Sequence, residues 1–125
     1  MHIQIQNRAL LRISGEDAES FLQAQLTNDI NLLEDNNVQL SAYCQHQGKI
    51  IALFWLMRSN GSLILSFPID LLEKIITRLQ MFIIMSDVLI EDISEKFHLI
   101  GLINENNSSA FSLNENLSLL IESND

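Results

Sequence analysis

The sequence predicts an α+β fold in which an antiparallel sheet carries two amphipathic helices. Two segments repeat apolar residues at helical spacing, and three short apolar or alternating runs lie between them. The pair Asn60-Gly61 separates the last two of those runs and is a strong hairpin signal. Consecutive strands joined by tight turns pair antiparallel, and helices then cover one face of the sheet.

The first strand and the first helix follow each other directly. Ala9 to Ile13 is apolar and partly β-branched, which predicts a strand. Ser14 with Asp17 resembles a capping box, and a helix is predicted from Glu16 to about Leu26. Its apolar face would hold Ala18, Phe21, Leu22 and Leu26.

A three-stranded meander and a second helix come next. The predicted strands are Val38 to Cys44, Ile50 to Met57 and Leu63 to Phe67. The middle one alternates little, which predicts burial on both of its faces. The second helix is predicted over about Ile69 to Ile84, because its apolar residues form one stripe.

The rest of the chain is predicted with fewer elements. Asp87 to Glu91 and Phe97 to Ile103 read as strands, and Ser108 to Leu113 as the start of a helix. The strand at Phe97 would either keep an unpaired edge or join the existing sheet. Strand, helix, meander, helix, strand is the order of an elaborated ferredoxin-like unit.

Composition excludes several classes of protein. The chain has 125 residues, 47% of them hydrophobic, which argues against disorder. Its formal net charge is −9 and its few basic residues are scattered, so a nucleic-acid interface is not predicted. The apolar runs are too short to span a bilayer. A single cysteine and the lack of a signal-peptide pattern favour the cytoplasm.

Few residue patterns indicate chemistry by themselves. Cys44 lies two residues from His46, but a nucleophilic cysteine needs a positioned base, so a structural role is favoured. Trp55 on an apolar strand is interpreted as core, and no metal-ligand spacing is present. Two loops are dense in hydrogen-bonding groups and suit a polar ligand: Gln23 to Asp29 and Tyr43 to Lys49.

Those loops and their surroundings resemble the opening of the folate-binding YgfZ-type proteins, which are grouped with the glycine-cleavage T protein, an aminomethyltransferase. The resemblance covers about residues 8–103. The similar segments are Ile13 to Ala18, Phe21 to Ile30, Tyr43 to Lys49, the Asn60-Gly61 hairpin, Leu71 to Phe82 and Met85 to Val88. The resemblance implies the T-protein folate-binding fold, with tetrahydrofolate as ligand. For the YgfZ branch it also implies a role in the assembly or repair of iron–sulfur proteins.

Departures from the family pattern bear on activity. T proteins carry a catalytic Asp after the glycine-rich turn, where this sequence has Ala52 and Leu53. Neither side chain has a proton to exchange, so no catalytic residue is predicted. One-carbon transfer, as in the T protein, is the alternative, and Asp29 is its candidate carboxylate. The Lys-Gly-Cys-aromatic-x-Gly-Gln-Glu motif of YgfZ-type proteins is not in the sequence, so the chain is expected to be the N-terminal part of a longer protein.

The resemblance also implies which residues contact folate. Arg8 stands where some relatives have a tryptophan that contacts folate, and it would pair with an anionic tail. The predicted contacts are Arg8, Gln25, Thr27, Asn28, Asp29, Gln47 and Lys49. Residues 1–92 would form a first folate-binding subdomain, and residues 93–125 an incomplete second one with an acidic tail.

The expected partners follow from the resemblance and from the composition. They are folate and iron–sulfur proteins, with neither nucleic acid nor membrane. Self-association is expected through the apolar wall of a pocket that this chain only half builds. A third hypothesis is a plain interaction domain whose acidic tail binds a basic partner, in which case the binding would be sensitive to salt.

Overall fold

A computed structural model describes residues 1–45 and 47–125, and it has the predicted α+β architecture. Two helices accompany two antiparallel sheets. The helices are α1 (Ala18–Gln25) and α2 (Leu72–Met81). The strands are β1 (His2–Ile5), β2 (Arg8–Ser14), β3 (Gln39–Cys44), β4 (Ile50–Ser59), β5 (Ser62–Pro68), β6 (Leu89–Asp92), β7 (Phe97–Ile103), β8 (Phe111–Ser112) and β9 (Leu117–Ser123).

The molecule has three layers. The five-stranded sheet has the order β3-β4-β5-β2-β6, and the four-stranded sheet has the order β1-β7-β9-β8. Both helices pack on one face of the five-stranded sheet, and the four-stranded sheet packs on its other face. Because strand side chains alternate between faces, β2, β4 and β5 each contribute residues to both sides.

Two hydrophobic cores fill the spaces between these layers. The helix-side core is the larger, and its aromatic centre has Phe54 at 5.2 Å from Phe67 and 5.7 Å from Tyr43 between ring centroids. The sheet-side core lies between the two sheets. Its buried residues are Leu10, Met57, Ile64, Ile93, Leu99 and Leu119.

The predicted helices and meander are confirmed. Both helices and β3 are shorter than predicted, whereas β4 and β5 are longer. A single turn of 3-10 helix (Ile69–Leu71) precedes α2, where the sequence predicted the helix itself to begin. The predicted cap of the first helix is wrong. Asp17 occupies the N-cap position and makes no capping bond there. Its Oδ2 instead accepts a hydrogen bond from the Asp87 N–H at 2.7 Å.

A tight crossing near Gly15 explains that change. Gly15 has φ +112°, and a Cβ built on it would lie 2.1 Å from the Asp87 carbonyl oxygen. The segment before β6 therefore passes directly over the β2–α1 corner. Asp17 bonds to this neighbouring segment, and a tertiary contact has replaced the local cap.

The C-terminal part differs most from the sequence prediction. Phe97–Ile103 neither keeps a free edge nor joins the first sheet, because it pairs with β1 on one side and β9 on the other. The predicted helix at Ser108 to Leu113 is wrong. Phe111–Ser112 is a short strand against β9, and Phe111 packs on the sheet-side core. The assignment of residues 93–125 to a second folate-binding subdomain stays a prediction.

Within the described residues, neither helix has the length and apolarity that crossing a bilayer requires.

Candidate functional site

The segment after α1 is bound to β3 as a short added strand. Leu26 forms an antiparallel bridge with Tyr43. The Thr27 N–H donates to the Ala42 carbonyl at 3.1 Å, and the Ala42 N–H donates to Thr27 Oγ1 at 3.0 Å. This bridge brings the end of the first polar loop beside the start of the second, as a common site requires.

Asn28 continues the attachment with all of its polar groups. Its N–H donates to Ser41 Oγ at 3.0 Å and its Nδ2 donates to the Leu40 carbonyl at 3.0 Å. Its Oδ1 accepts from the Asp29 N–H at 2.8 Å. The hydrogen-bonding groups of Asn28 and Thr27 therefore already hold the loop to the sheet. A ligand would meet these residues mainly through the surface they shape.

The side chains of Asp29 and Gln25 are held less tightly to the sheet than that of Asn28. Asp29 Oδ1 accepts from the Asn31 N–H at 3.0 Å, which starts a turn of 3-10 helix, and the side chain is exposed. Gln25 is half-buried at the end of α1. These two side chains can reach a ligand at the helix end.

The β3–β4 turn presents the next two predicted contacts. The Gln45 N–H donates to the Lys49 carbonyl at 2.8 Å, and the Gly48 N–H donates to the Gln45 carbonyl at 2.9 Å. Gln47 and Lys49 are exposed. His46 lies outside the described residues, so the Cys44–His46 pair stays untested.

The sequence analysis missed an apolar surface that extends from this turn along β3 and β4. It lies on the face of the sheet opposite the helices. Leu40 lies opposite Trp55 and Ala42 lies opposite Leu53, so all four side chains share one face. Leu40 is 53% exposed and Leu53 is 50% exposed. We call these four residues the open strip. The prediction that β4 is buried on both faces is therefore wrong at Leu53, because the four-stranded sheet covers only part of that face.

A cleft continues the open strip between the two sheets. It has a volume of about 230 Å³ and begins at Trp55. Its lining is apolar except for one serine: Ile3, Ile5, Trp55, Gly101, Ile103, Leu113, Leu117, Ser118 and Leu119. Trp55 is thus half-buried at an edge of the core and exposes part of its ring, rather than being wholly internal.

Arg8 lies on the same face of the sheet as Trp55. The Arg8 guanidinium carbon is 3.8 Å from the Trp55 ring centroid, and its Nε donates to Ser66 Oγ at 3.2 Å. Burial lowers the pKa of the Arg8 guanidinium from its usual value. Lys49 directly precedes β4 and is six residues from Trp55, about 20 Å at the usual strand rise. Arg8 and the β3–β4 turn therefore mark opposite ends of the open strip.

The two residues at the position of the T-protein Asp point in opposite directions. Ala52 is buried in the helix-side core, whereas Leu53 lies on the open strip. The side chain that faces outward at this position is therefore aliphatic. In the part of the chain that the structure describes, no three His, Cys, Asp or Glu side chains converge on a metal-binding geometry.

Known proteins are similar to this chain in sequence and in fold, although no family model matches it. The tRNA-modifying protein YgfZ of Colwellia psychrerythraea is 30% identical over 107 residues, which are 86% of this chain and 33% of that protein. The protein of the same name from Hamiltonella defensa is 32% identical over 100 residues, 80% of this chain and 30% of that protein. The chain thus spans about a third of the length of these relatives.

A solved structure shows the fold. The glycine cleavage system aminomethyltransferase T from Bartonella henselae superposes with a TM-score of 0.69 at 17% identity, over 80% of this chain and 27% of that one. The chain is therefore similar to part of the YgfZ proteins in sequence and to the T aminomethyltransferase in fold. The predicted family resemblance and fold class are confirmed.

Proposed function

We propose that this chain, similar to YgfZ and to the T aminomethyltransferase, forms one wall of a tetrahydrofolate site in a protein that supports iron–sulfur assembly or repair. The open strip is the observation that carries the proposal. Ligand sites in proteins are mostly apolar surfaces with a few placed polar groups. Here an exposed apolar surface has Gln47 and Lys49 at one end and Arg8 at the other.

Each part of the strip suits a different part of a folate. Leu40, Leu53 and Trp55 offer a flat apolar surface for an aromatic ring system. Gln47 and Lys49 supply exposed polar groups at the turn beside that surface. Gln25 and Asp29 lie beyond the outer edge of β3, at the end of α1, so a ligand would meet them where it extends over that edge. Arg8 supplies the positive charge for an anionic tail.

The side chain at Leu53 favours binding without catalysis. A general acid or base must lie within hydrogen-bonding reach of the proton that it transfers. Leu53 cannot exchange a proton, and Ala52 faces the helix-side core. Folate-dependent aminomethyl transfer remains the alternative, with Asp29 as its carboxylate. Asp29 caps a 3-10 turn in this structure. Turnover that Asp29→Asn abolishes would favour the enzyme.

A link to tRNA modification, as in the relatives' name, would run through a partner enzyme. The chain carries 7 basic and 16 acidic residues, and such a surface repels a phosphate backbone. Iron–sulfur proteins are the proposed partners, in the cytoplasm. Depleting the protein should lower the activity of iron–sulfur enzymes, and the double variant Leu40→Gln/Leu53→Gln should fail to restore it.

Titration with a reduced folate tests the ligand directly. Trp55 is the only tryptophan, so its fluorescence reports on the open strip. We expect saturable quenching in the millimolar range, because one wall provides few contacts. Leu53→Gln should weaken the response several-fold. Leu32→Gln is the matched control, since Leu32 is 70% exposed in the turn after α1 and lies off the strip.

Two outcomes would contradict the proposal. If the quenching does not saturate, or if Leu53→Gln titrates like the unmodified chain, the open strip is not the site. Micromolar binding would show that this chain alone makes the whole site, contrary to the idea of a single wall.

A further inference from the structure

We propose that the surface at the end of α2 binds a helix of a partner protein that carries an apolar stripe beside acidic residues. Five apolar side chains form this surface, and each is at least half exposed: Met81, Phe82, Ile84, Met85 and Leu89. We call them the α2-end surface. Neighbouring exposed apolar residues on a folded chain mark an interaction site when they form one patch.

The segment that carries this surface is anchored to the rest of the chain. Ile83 and Val88 pack against the helix-side core. The Asp17 N–H donates to the Asp87 carbonyl at 3.1 Å, and the Glu16 N–H donates to Asp87 Oδ2 at 3.1 Å. The outward side chains are therefore held in place by inward contacts of their neighbours. An ordered surface loses little conformational freedom when a partner binds.

The backbone of Met85 is strained without a compensating contact. Among the described residues other than glycine, four have a positive φ, and the other three are asparagines: Asn7, Asn60 and Asn104. Asparagine tolerates this left-handed region, whereas methionine does so only at a cost. Met85 has φ +59°, and its side chain is fully exposed. Because that side chain gains no burial within the chain, a contact with another molecule accounts for a methionine at this position.

Two cations lie beside the apolar residues on α2 and decide the charge of the partner. Lys74, Arg78 and Phe82 follow one another at four-residue spacing, so they lie on one flank of the helix. Met81 is seven residues after Lys74 and lies on the same flank. Glu73 is rotated away from Lys74 by about 100° around the helix axis. Neither cation has an ion-pair partner among the residues that the structure describes.

A protein helix fits this arrangement better than a lipid surface. The carboxylates of Asp17 and Asp87 lie beyond the other end of the α2-end surface. A plane of anionic headgroups would face both ends, whereas a helix can place its acidic residues at the cationic end alone. Exposed charges more than about 8 Å apart are largely screened at physiological salt, so the net charge of −9 does not exclude this local pairing.

A peptide titration followed by the methionine methyl groups tests the surface. The probe is a helical peptide of about 15 residues, with leucines at i, i+3, i+4 and i+7 and glutamates on both sides of that stripe. The chain has four methionines, so each gives its own signal in a proton–carbon correlation spectrum. We expect saturable shifts of Met81 and Met85 at submillimolar peptide. Met57 is wholly buried in the sheet-side core and should not shift. A peptide with lysines in place of the glutamates should bind at least about fivefold more weakly.

Matched substitutions separate binding from folding. Met85→Asn suits the left-handed backbone, as at Asn60, and removes the apolar side chain. It should leave the urea midpoint unchanged or raise it, and it should weaken peptide binding about tenfold. Lys74→Gln should weaken binding about threefold, whereas Lys96→Gln removes an exposed lysine elsewhere and should not. Leu53→Gln should also leave peptide binding unchanged, because the open strip lies on the opposite face of the sheet. This proposal and the folate proposal can therefore fail separately.

Four outcomes would overturn the proposal. Met85→Asn could bind the glutamate peptide as tightly as the unmodified chain does, or the lysine peptide could bind as tightly as the glutamate peptide. The signals of Met81 and Met85 could shift when the free chain is diluted, which would make a second copy the occupant. Vesicles of phosphatidylglycerol could shift these signals while the peptide does not, which would make the occupant a lipid surface.

Discussion

The two faces of the five-stranded sheet use the same strands for different purposes. On one face, both helices complete a closed apolar layer, and Phe54, Leu56 and Phe67 are wholly buried. On the other face, the four-stranded sheet covers β2, β5 and half of β4, and the open strip remains uncovered. Stability is concentrated on the first face, whereas an apolar surface for binding is left on the second.

Neighbouring residues of β4 show this difference within one strand. Phe54 points to the helix side and has no exposed surface, while Leu53 points to the open strip and is half exposed. Burial of apolar area stabilises a fold roughly in proportion to the area removed from water. The strand therefore carries a structural side chain and a binding side chain at consecutive positions.

The largest predicted effect comes from this pair. Phe54→Ala should lower the free energy of unfolding by about 3–5 kcal/mol, because it leaves a cavity between two aromatic rings. Leu53→Ala should lower it by about 1 kcal/mol or less, since half of the side chain is already in water. Urea unfolding followed by circular dichroism measures both. Equal losses would mean that the two faces contribute alike to stability.

The helix side was well predicted from the sequence, for a physical reason. The helical stripe of Ala18, Phe21 and Leu22 and the Asn60-Gly61 hairpin are local signals that involve few distant residues. The sheet side was predicted poorly, because the four-stranded sheet forms by pairing between residues far apart in the sequence, such as Gln4 and Ile100. A short strand like Phe111–Ser112 has almost no local signal, and its pairing with β9 decides its conformation.

The candidate site was also predicted only in part. The polar loops were found by composition, and the Leu26–Tyr43 bridge does bring them together. The open strip was missed, because β4 reads as a continuous apolar run whose coverage depends on a second sheet. The opposition of Leu40 to Trp55 and of Ala42 to Leu53 was the available signal, but it required the strand register.

The second predicted effect concerns the corner that closes the helix side. Gly15→Ala should lower the free energy of unfolding by more than about 2 kcal/mol. The new Cβ would meet the Asp87 carbonyl, and the positive φ adds about 1–2 kcal/mol of strain.

Gly61→Ala is the control for backbone strain alone. Gly61 has φ +80°, and nothing lies within 4 Å of its added Cβ. This variant should therefore lose only the strain contribution, about 1–2 kcal/mol. Thermal and urea unfolding of both variants measure the difference. If Gly15→Ala is no less stable than Gly61→Ala, the segment before β6 does not pack on the corner as closely as the structure shows.

The smallest predicted effect is self-association through the open strip. Four side chains provide far less area than the roughly 1,200 Å² of a stable protein interface, so the dimer should be weak and visible only at high concentration. Sedimentation equilibrium over a wide range of protein concentration measures it. Leu40→Gln/Leu53→Gln should make the chain monomeric, whereas Leu32→Gln, which removes an exposed leucine elsewhere, should not.

A second apolar surface exists at the end of α2, where Met81 is 65% exposed and Met85 fully exposed. Association that survives the double variant but disappears in Met81→Gln/Met85→Gln would assign the contact to that surface, and the open strip would then face water in the free chain.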